Sequence, residues 1–226
     1  MLFIFSKDIM VYTVFIMVIT YQGCQSFKLT KGDTVVAFDP LSKDSKWALQ
    51  PVRFGADIVL SSMNHRNFNA VSQLQKGQRD PFIINAPGEY EVGEVTVRGF
   101  GIPTVYDGEH RYATMFQVKF EGMNILFLGP INSPEIDQKI LGALSDIDIL
   151  FVPIGDGDVL SPPQASKLAV KLEARLTIPM HYDDKALDSF LREEGLKAVS
   201  PQEKLTIKQK DISQMSGDVV VLSRGK

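Results

Sequence analysis

The sequence predicts a layered α/β (α+β) fold built on two sheets, or on one large mixed sheet covered by helices, and three observations point there. β-forming runs separated by turn residues fill the first half, and strand and helix patterns alternate in the second. Several apolar runs are also continuous rather than alternating, as expected of strands buried on both faces. The 226 residues, 44% apolar and 23% charged, fit one large domain with a sizeable core.

Taken in order, "MVITYQ" from Met17 is rich in β-formers, and "SFKLTKGDTVVAFDP" reads as two strands around a Lys-Gly-Asp turn, ended by Asp39-Pro40. "ADIVLSS" is a buried strand, and "NFNAVSQL" after it carries a short helix. "PFIINAPGEYEVGEVTVRGF" gives strands broken at Pro87-Gly88 and Gly93, and "YATMFQVKFEGMNILFLG" gives a hairpin turning at Glu121-Gly122. Ser133 and Pro134 are the expected N-cap and first position of a helix over "SPEIDQKILGAL", followed by the strand "DIDILFVPIG". Ser161 and Gln164 stand at capping-box spacing, with Pro162 inside the start of the next helix. "RLTIPM" is a strand, "KALDSFLREEG" a helix ended by Gly195, and "KLTIKQ" and "DVVVLS" are short closing strands.

The N-terminus admits two readings. "IMVYTVFIMVITYQGC" resembles a signal segment ending at a lipidated cysteine, which would make the protein an envelope lipoprotein anchored through Cys24. Asp8 and Tyr21 fit that pattern poorly, and the run from Ile9 to Tyr21 falls short of the roughly 20 residues that span a bilayer. The preferred reading is a single domain over residues 17–226, a cytoplasmic location, and residues 1–16 as an extension before an alternative initiator, Met17. Cleavage before Cys24 would delete a strand that the following hairpin needs.

A formal net charge of −3 without a Lys/Arg cluster gives no sign of a nucleic-acid partner, and a homo-oligomer is compatible with the sequence. One cysteine excludes an intrachain disulfide, and three histidines leave few soft or borderline metal ligands.

The ordered series "MVITYQGCQSFKL", "DTVVAFDP", "ADIVLSSMNHRNFN", "APGEYEV", "NILFLGP", "DIDILFVPIGDG" and "IPMHY" resembles the metallo-β-lactamase superfamily, in its branch similar to L-ascorbate-6-phosphate lactonases and related Zn-dependent hydrolases. The resemblance runs from about Met17 to Tyr182. It implies an αββα sandwich with the active site at one edge between the sheets. It also implies two metal ions, usually zinc, held by a His-x-His-x-Asp-His motif, a further histidine, a bridging aspartate and a last histidine. Such ions deprotonate a bridging water near neutral pH and polarise the scissile bond.

On that pattern the first motif falls on Met63, His65, Asn67 and Phe68, of which only His65 is a standard ligand. The bridging aspartate falls on Pro130, the further histidine near Tyr106 or Phe127, and the last histidine on His181. The relatives' Gly-His-Ser-Cys-Phe stretch stands here as Gly23, Cys24, Gln25, Ser26 and Phe27. His65 and His181 would belong to different metals, while Met63 and Phe68 put apolar bulk where ligands are needed. The degenerate pattern predicts a diverged or non-catalytic member that holds no cofactor and binds a ligand or a protein.

The alternative is a metal-dependent hydrolase of a phosphoester, lactone or similar ester with a rebuilt Zn or Mn site. Its candidates are His65, His181, Asp39, Asp107, Asp156 and Asp184, with Asp158 and Asp183 nearby. Asp39 matches an aspartate that the superfamily keeps at a strand end. Against it, Asp156, Asp158 and Asp184 read as ordinary solvated turn carboxylates, His110 as a solvent-facing loop residue, Cys24 as buried and inert, and Ser61 and Ser62 as turn residues.

Overall fold

The computed structural model describes residues 16–43, 45 and 54–223. Of the extension expected over residues 1–16, residues 1–15 lie outside the described residues.

Two sheets pack face to face. The first contains β1 (Met17–Gly23), β2 (Ser26–Lys31), β3 (Thr34–Phe38), β4 (Ile58–Leu60), β5 (Phe82–Ile84) and β12 (Leu205–Ile207), in the order β12-β1-β2-β3-β4-β5. The second contains β6 (Gly88–Val92), β7 (Val95–Tyr106), β8 (Glu109–Phe120), β9 (Met123–Phe127), β10 (Ile149–Pro153), β11 (Leu176–Met180) and β13 (Asp218–Val219), in the order β13-β11-β10-β9-β8-β7-β6. β1 lies between β12 and β2, antiparallel to both, so Met17–Gly23 is an inner strand.

Aromatic rings from both sheets meet in the core. Phe27 and Phe38 of the first sheet lie 4.4 Å from Phe151 and 4.8 Å from Phe127 of the second, centroid to centroid. Burying such rings is among the largest single contributions to a core. β10 and β11 are buried at every position, as their continuous apolar runs predict.

Helices α1 (Gln138–Ala143), α2 (Pro162–Lys171) and α3 (Asp184–Glu193) follow β9, β10 and β11, and α2 packs against β10 and α3. The short α4 (Gln209–Ile212) follows β12. On the far side of the first sheet, Phe54, Val71 and Leu74 cover an apolar patch that includes Val35, Ala37 and Val59.

The α2 start matches its expected capping box, with the Ser161 N–H donating to Gln164 Oε1 at 3.0 Å. Two local expectations fail. α1 starts at Gln138 behind the N-cap Asp137, not at Ser133, whose hydroxyl instead accepts from the Glu135 N–H; Ile136 is drawn into the core and holds residues 134–136 out of the helix. The segment "NFNAVSQL" forms only a three-residue 3-10 turn, Val71–Gln73, because the Ala70 N–H is tied to the Pro40 carbonyl.

β1, β3, β4, β7, β9, β10 and β11 all end at one edge of the sandwich, and β2 and β8 begin there. The loops at this edge carry the sequence candidates. We call it the site end and its opposite the far end. Among the described residues no helix is long and apolar enough to cross a membrane.

Candidate functional site

Asp39 follows β3 and is fully buried. Its Oδ1 accepts the Ser62 N–H at 2.6 Å, and its Oδ2 accepts the Ser62 hydroxyl and the Gln25 side-chain amide, the latter at 2.6 Å. Burial pushes the Asp39 carboxyl up to about 7, against the downward pull of these donors. The Gln25 Oε1 faces His181 Nδ1 at 3.2 Å. A carbonyl oxygen only accepts, so this contact fixes the His181 proton on Nδ1. The His181 N–H is bonded in turn to the Cys24 carbonyl, joining the two sheets.

His65 is held differently. Its Nδ1 accepts the Asn67 N–H at 3.2 Å, which places the ring proton on Nε2, 3.6 Å from Asp107 Oδ2. Burial and the nearby Arg111 and Arg66 charges push its pKa below the ordinary histidine value, and Asp107 only partly opposes them.

Tyr106 stands against both histidines. Its buried ring is edge-on to His65 at 5.0 Å and to His181 at 5.8 Å, and Phe68 packs on it at 5.4 Å. Cys24, Leu41, Met63, Phe68, Ala113 and Val159 form one apolar cluster with it. Burial raises the Tyr106 phenol well above the ordinary tyrosine range, although its hydroxyl bonds to the Asn67 side chain. Met63 and Phe68 are packed apolar groups of this cluster. Tyr106 packs in this cluster beside the histidines, whereas Phe127 packs in the inter-sheet core.

The remaining candidates separate. Pro130 is buried and offers its carbonyl to the Thr104 hydroxyl at 2.9 Å. Asp156 is exposed and caps the Gly157 N–H, and Asp158 accepts the Asp107 N–H at 3.0 Å. Asp183 is the N-cap of α3 and Asp184 lies exposed in its first turn, so both serve the helix start. His110 is solvent-facing as expected, but in β8 rather than a loop. Ser62 lies in the bend after β4, as expected, but is buried, with its N–H and its hydroxyl both donated to Asp39. Gln25 bridges Asp39 to His181, and no spacing rule in the sequence marks it for that role.

Several backbones here are unusual. Cys24, Asp39, Asp107, Asp156 and His181 all have φ between 40° and 64°, a left-handed region that non-glycine residues rarely occupy. Gly155 has no room for a side chain, because a Cβ there would fall 2.1 Å from the His181 carbonyl oxygen. Among the described residues no group of three or more His, Cys, Asp or Glu side chains is arranged to hold a metal ion.

The model of the beta-lactamase superfamily domain matches residues 18–181. The chain belongs to the metallo-beta-lactamase superfamily. Among curated relatives, it is 28% identical to a UPF0173 metal-dependent hydrolase of Listeria innocua, an alignment covering 74% of this chain and 86% of that protein. A metal-dependent hydrolase of Bacillus subtilis is 25% identical with the same shares. A superfamily structure from Thermotoga maritima matches with a TM-score of 0.71 at 26% identity, covering 91% of this chain and 98% of that one. The Ignicoccus hospitalis metallo hydrolase Igni18, 16% identical with a TM-score of 0.58 over 85% of this chain and 99% of that one, shares the fold alone. The layered sandwich expected of the superfamily is thus the fold of this chain.

Proposed function

We propose that this chain keeps the superfamily's sandwich without its dinuclear metal centre, and that it acts as a non-catalytic, ligand- or protein-binding member. The observation that carries this reading is the Tyr106 ring packed against both His65 and His181, with Met63 and Phe68 closing the space around it. A catalytic zinc needs about three protein ligands and an open position for water. Here thioether, phenyl and proline groups stand at ligand positions, and the His65 Nδ1 lone pair is already committed to Asn67. These residues do not fit a two-metal centre, and no hydrolytic step follows from them.

A second reading, a metal-dependent hydrolase of a phosphoester, lactone or similar ester with a rebuilt Zn or Mn site, is favoured by the names of the curated relatives. It would draw on His181 and Asp39, already linked through Gln25, or on His65 and Asp107 at the rim.

Metal content decides between the two. After purification with added zinc or manganese, less than about 0.1 ion per chain is expected, against the near-full occupancy of a tight site. One or two ions per chain, lost on His181→Ala and accompanied by ester hydrolysis, would establish the second reading. The proposal also takes residues 17–226 as the working domain in the cytoplasm; the intact mass of the mature chain tests this, because lipidation at Cys24 would add acyl mass to a shortened N-terminus.

A further inference from the structure

We propose that this chain forms a two-fold dimer through the open edge of β5, which pairs antiparallel with β5 of a second copy. β5 ends the first sheet, and among the described residues no strand lies beyond it. Phe82 and Ile83, on opposite faces of this edge, are 49% and 42% exposed, large apolar side chains that the fold leaves open to water. The inference does not depend on the metal question at the site end.

The backbone of this edge fits a copy of itself. The Phe82 N–H donates inward to the Asp57 carbonyl at 2.8 Å, and the Ile84 carbonyl accepts the Ser61 N–H at 2.9 Å. The N–H and C=O of one trans peptide point in opposite directions, so the Pro81 carbonyl and the Asn85 N–H face outward. Between them, the N–H and carbonyl of Ile83 also face outward, by the alternation of a strand. Antiparallel pairing centred on Ile83 then lets the two copies of Ile83 exchange N–H···O bonds, and each Asn85 N–H donate to the Pro81 carbonyl of the other copy. Pro81, which has no N–H, ends the ladder there.

Side chains and charges agree with this register. Phe82 meets Ile84 of the second copy on the inner face, and the two copies of Ile83 meet on the outer face, so both exposed groups are covered. Residues 76–80 before β5 carry Lys76 and Arg79 against one acid, Asp80, whereas residues 85–91 after it carry Glu89 and Glu91 and no base. An antiparallel copy brings the basic end of each chain towards the acidic end of the other, whereas a parallel one would set like against like. β6, which follows after a short connection and edges the second sheet, exposes Glu89 and Glu91, charges that keep an edge from pairing with its own kind. β5 has no such guard within its strand.

Sedimentation of the full chain from about 5 µM to about 200 µM tests this, because a small strand-edge interface belongs to the weaker range of association. The mass should rise from the 25.2 kDa of one chain towards twice that value. Ile83→Lys sets two ammonium groups against each other at the two-fold axis and should weaken association at least about a hundredfold. Its circular dichroism spectrum should match the parent's, since the position is exposed. Ile83→Cys tests the register: hydrogen-bonded antiparallel partners lie about 5.5 Å apart at Cα, so oxidation with copper–phenanthroline should join two copies by a disulfide. Phe82→Cys should not join them, because its two Cα atoms would lie more than about 7 Å apart. The native cysteine, Cys24, is buried and does not compete. The proposal is overturned if the chain stays monomeric over this range, if folded Ile83→Lys associates like the parent, or if Ile83→Cys crosslinks no better than Phe82→Cys.

Discussion

At the far end, Lys31 of β2 reaches across the sandwich to Glu94, between β6 and β7, and to Glu121, between β8 and β9. At the site end, Asp39 is enclosed with Ser62 and Gln25, three donors and, among the described residues, no cation. Both link the two sheets, one by direct ion pairs and the other through Gln25 and His181. Burial works against the Lys31 charge, but the bonds to Glu121 and Glu94 outweigh it and hold its pKa above the ordinary value. Asp39 has no such countercharge, and burial wins. The far end is fastened by matched charge near the surface, whereas the site end keeps a carboxyl in an environment that disfavours its ionised form. Stability alone does not call for such a carboxyl, which reaches His181 only through the Gln25 side chain.

Four perturbations would break or sharpen this contrast. Tyr106→Ala removes a buried ring from the middle of the apolar cluster and should cost about 4 kcal/mol in urea unfolding, as large-to-small aromatic changes do; a loss below about 1 kcal/mol would mean the ring is not packed as described. Asp39→Ala strands the Ser62 N–H, the Ser62 hydroxyl and the Gln25 amide, and a loss of about 3 kcal/mol is expected.

The pH dependence of Asp39 has a definite sign. Its folded pKa, about 7, is raised above the unfolded value, so its contribution to stability is complete below the ordinary carboxylate range and is lost as pH rises towards 7. The parent chain should therefore lose stability between about pH 4 and pH 7 relative to Asp39→Asn; parallel profiles would show that Asp39 titrates normally. The smallest effect is at the far end. Lys31→Met should cost about 1 kcal/mol and should also remove part of the salt dependence of stability, because Glu94 and Glu121 remain partly open to water.

What could be read from the sequence follows how locally each feature is encoded. Continuous apolar runs located β4, β10 and β11, and the Ser161–Gln164 box located the start of α2, since a few adjacent residues carry each signal. The α1 start was missed because Ile136 answers to the core rather than to Ser133. At the site end, Met63, His65, Phe68, Tyr106 and His181 pack near one another. The sequence pattern did not reveal the Gln25 bridge or the burial of Ser62. That network joins positions 25, 39, 62 and 181 from separate strands, and only the closed sandwich brings them within bonding distance. Asp156 and Asp184, candidates for a rebuilt site beside His181, lie exposed, Asp156 accepting the Gly157 N–H and Asp184 in the first turn of α3.

The five left-handed residues at the site end have a bearing on design. Each non-glycine residue in that region carries about 1–2 kcal/mol of backbone strain, so Asp107 and Asp156, which are exposed, are natural places for a stabilising glycine. The other three are pinned from both sides by packing and hydrogen bonds. Loops held this way behave as a tensioned frame rather than slack connectors, and new side chains installed on them would start from fixed backbone directions.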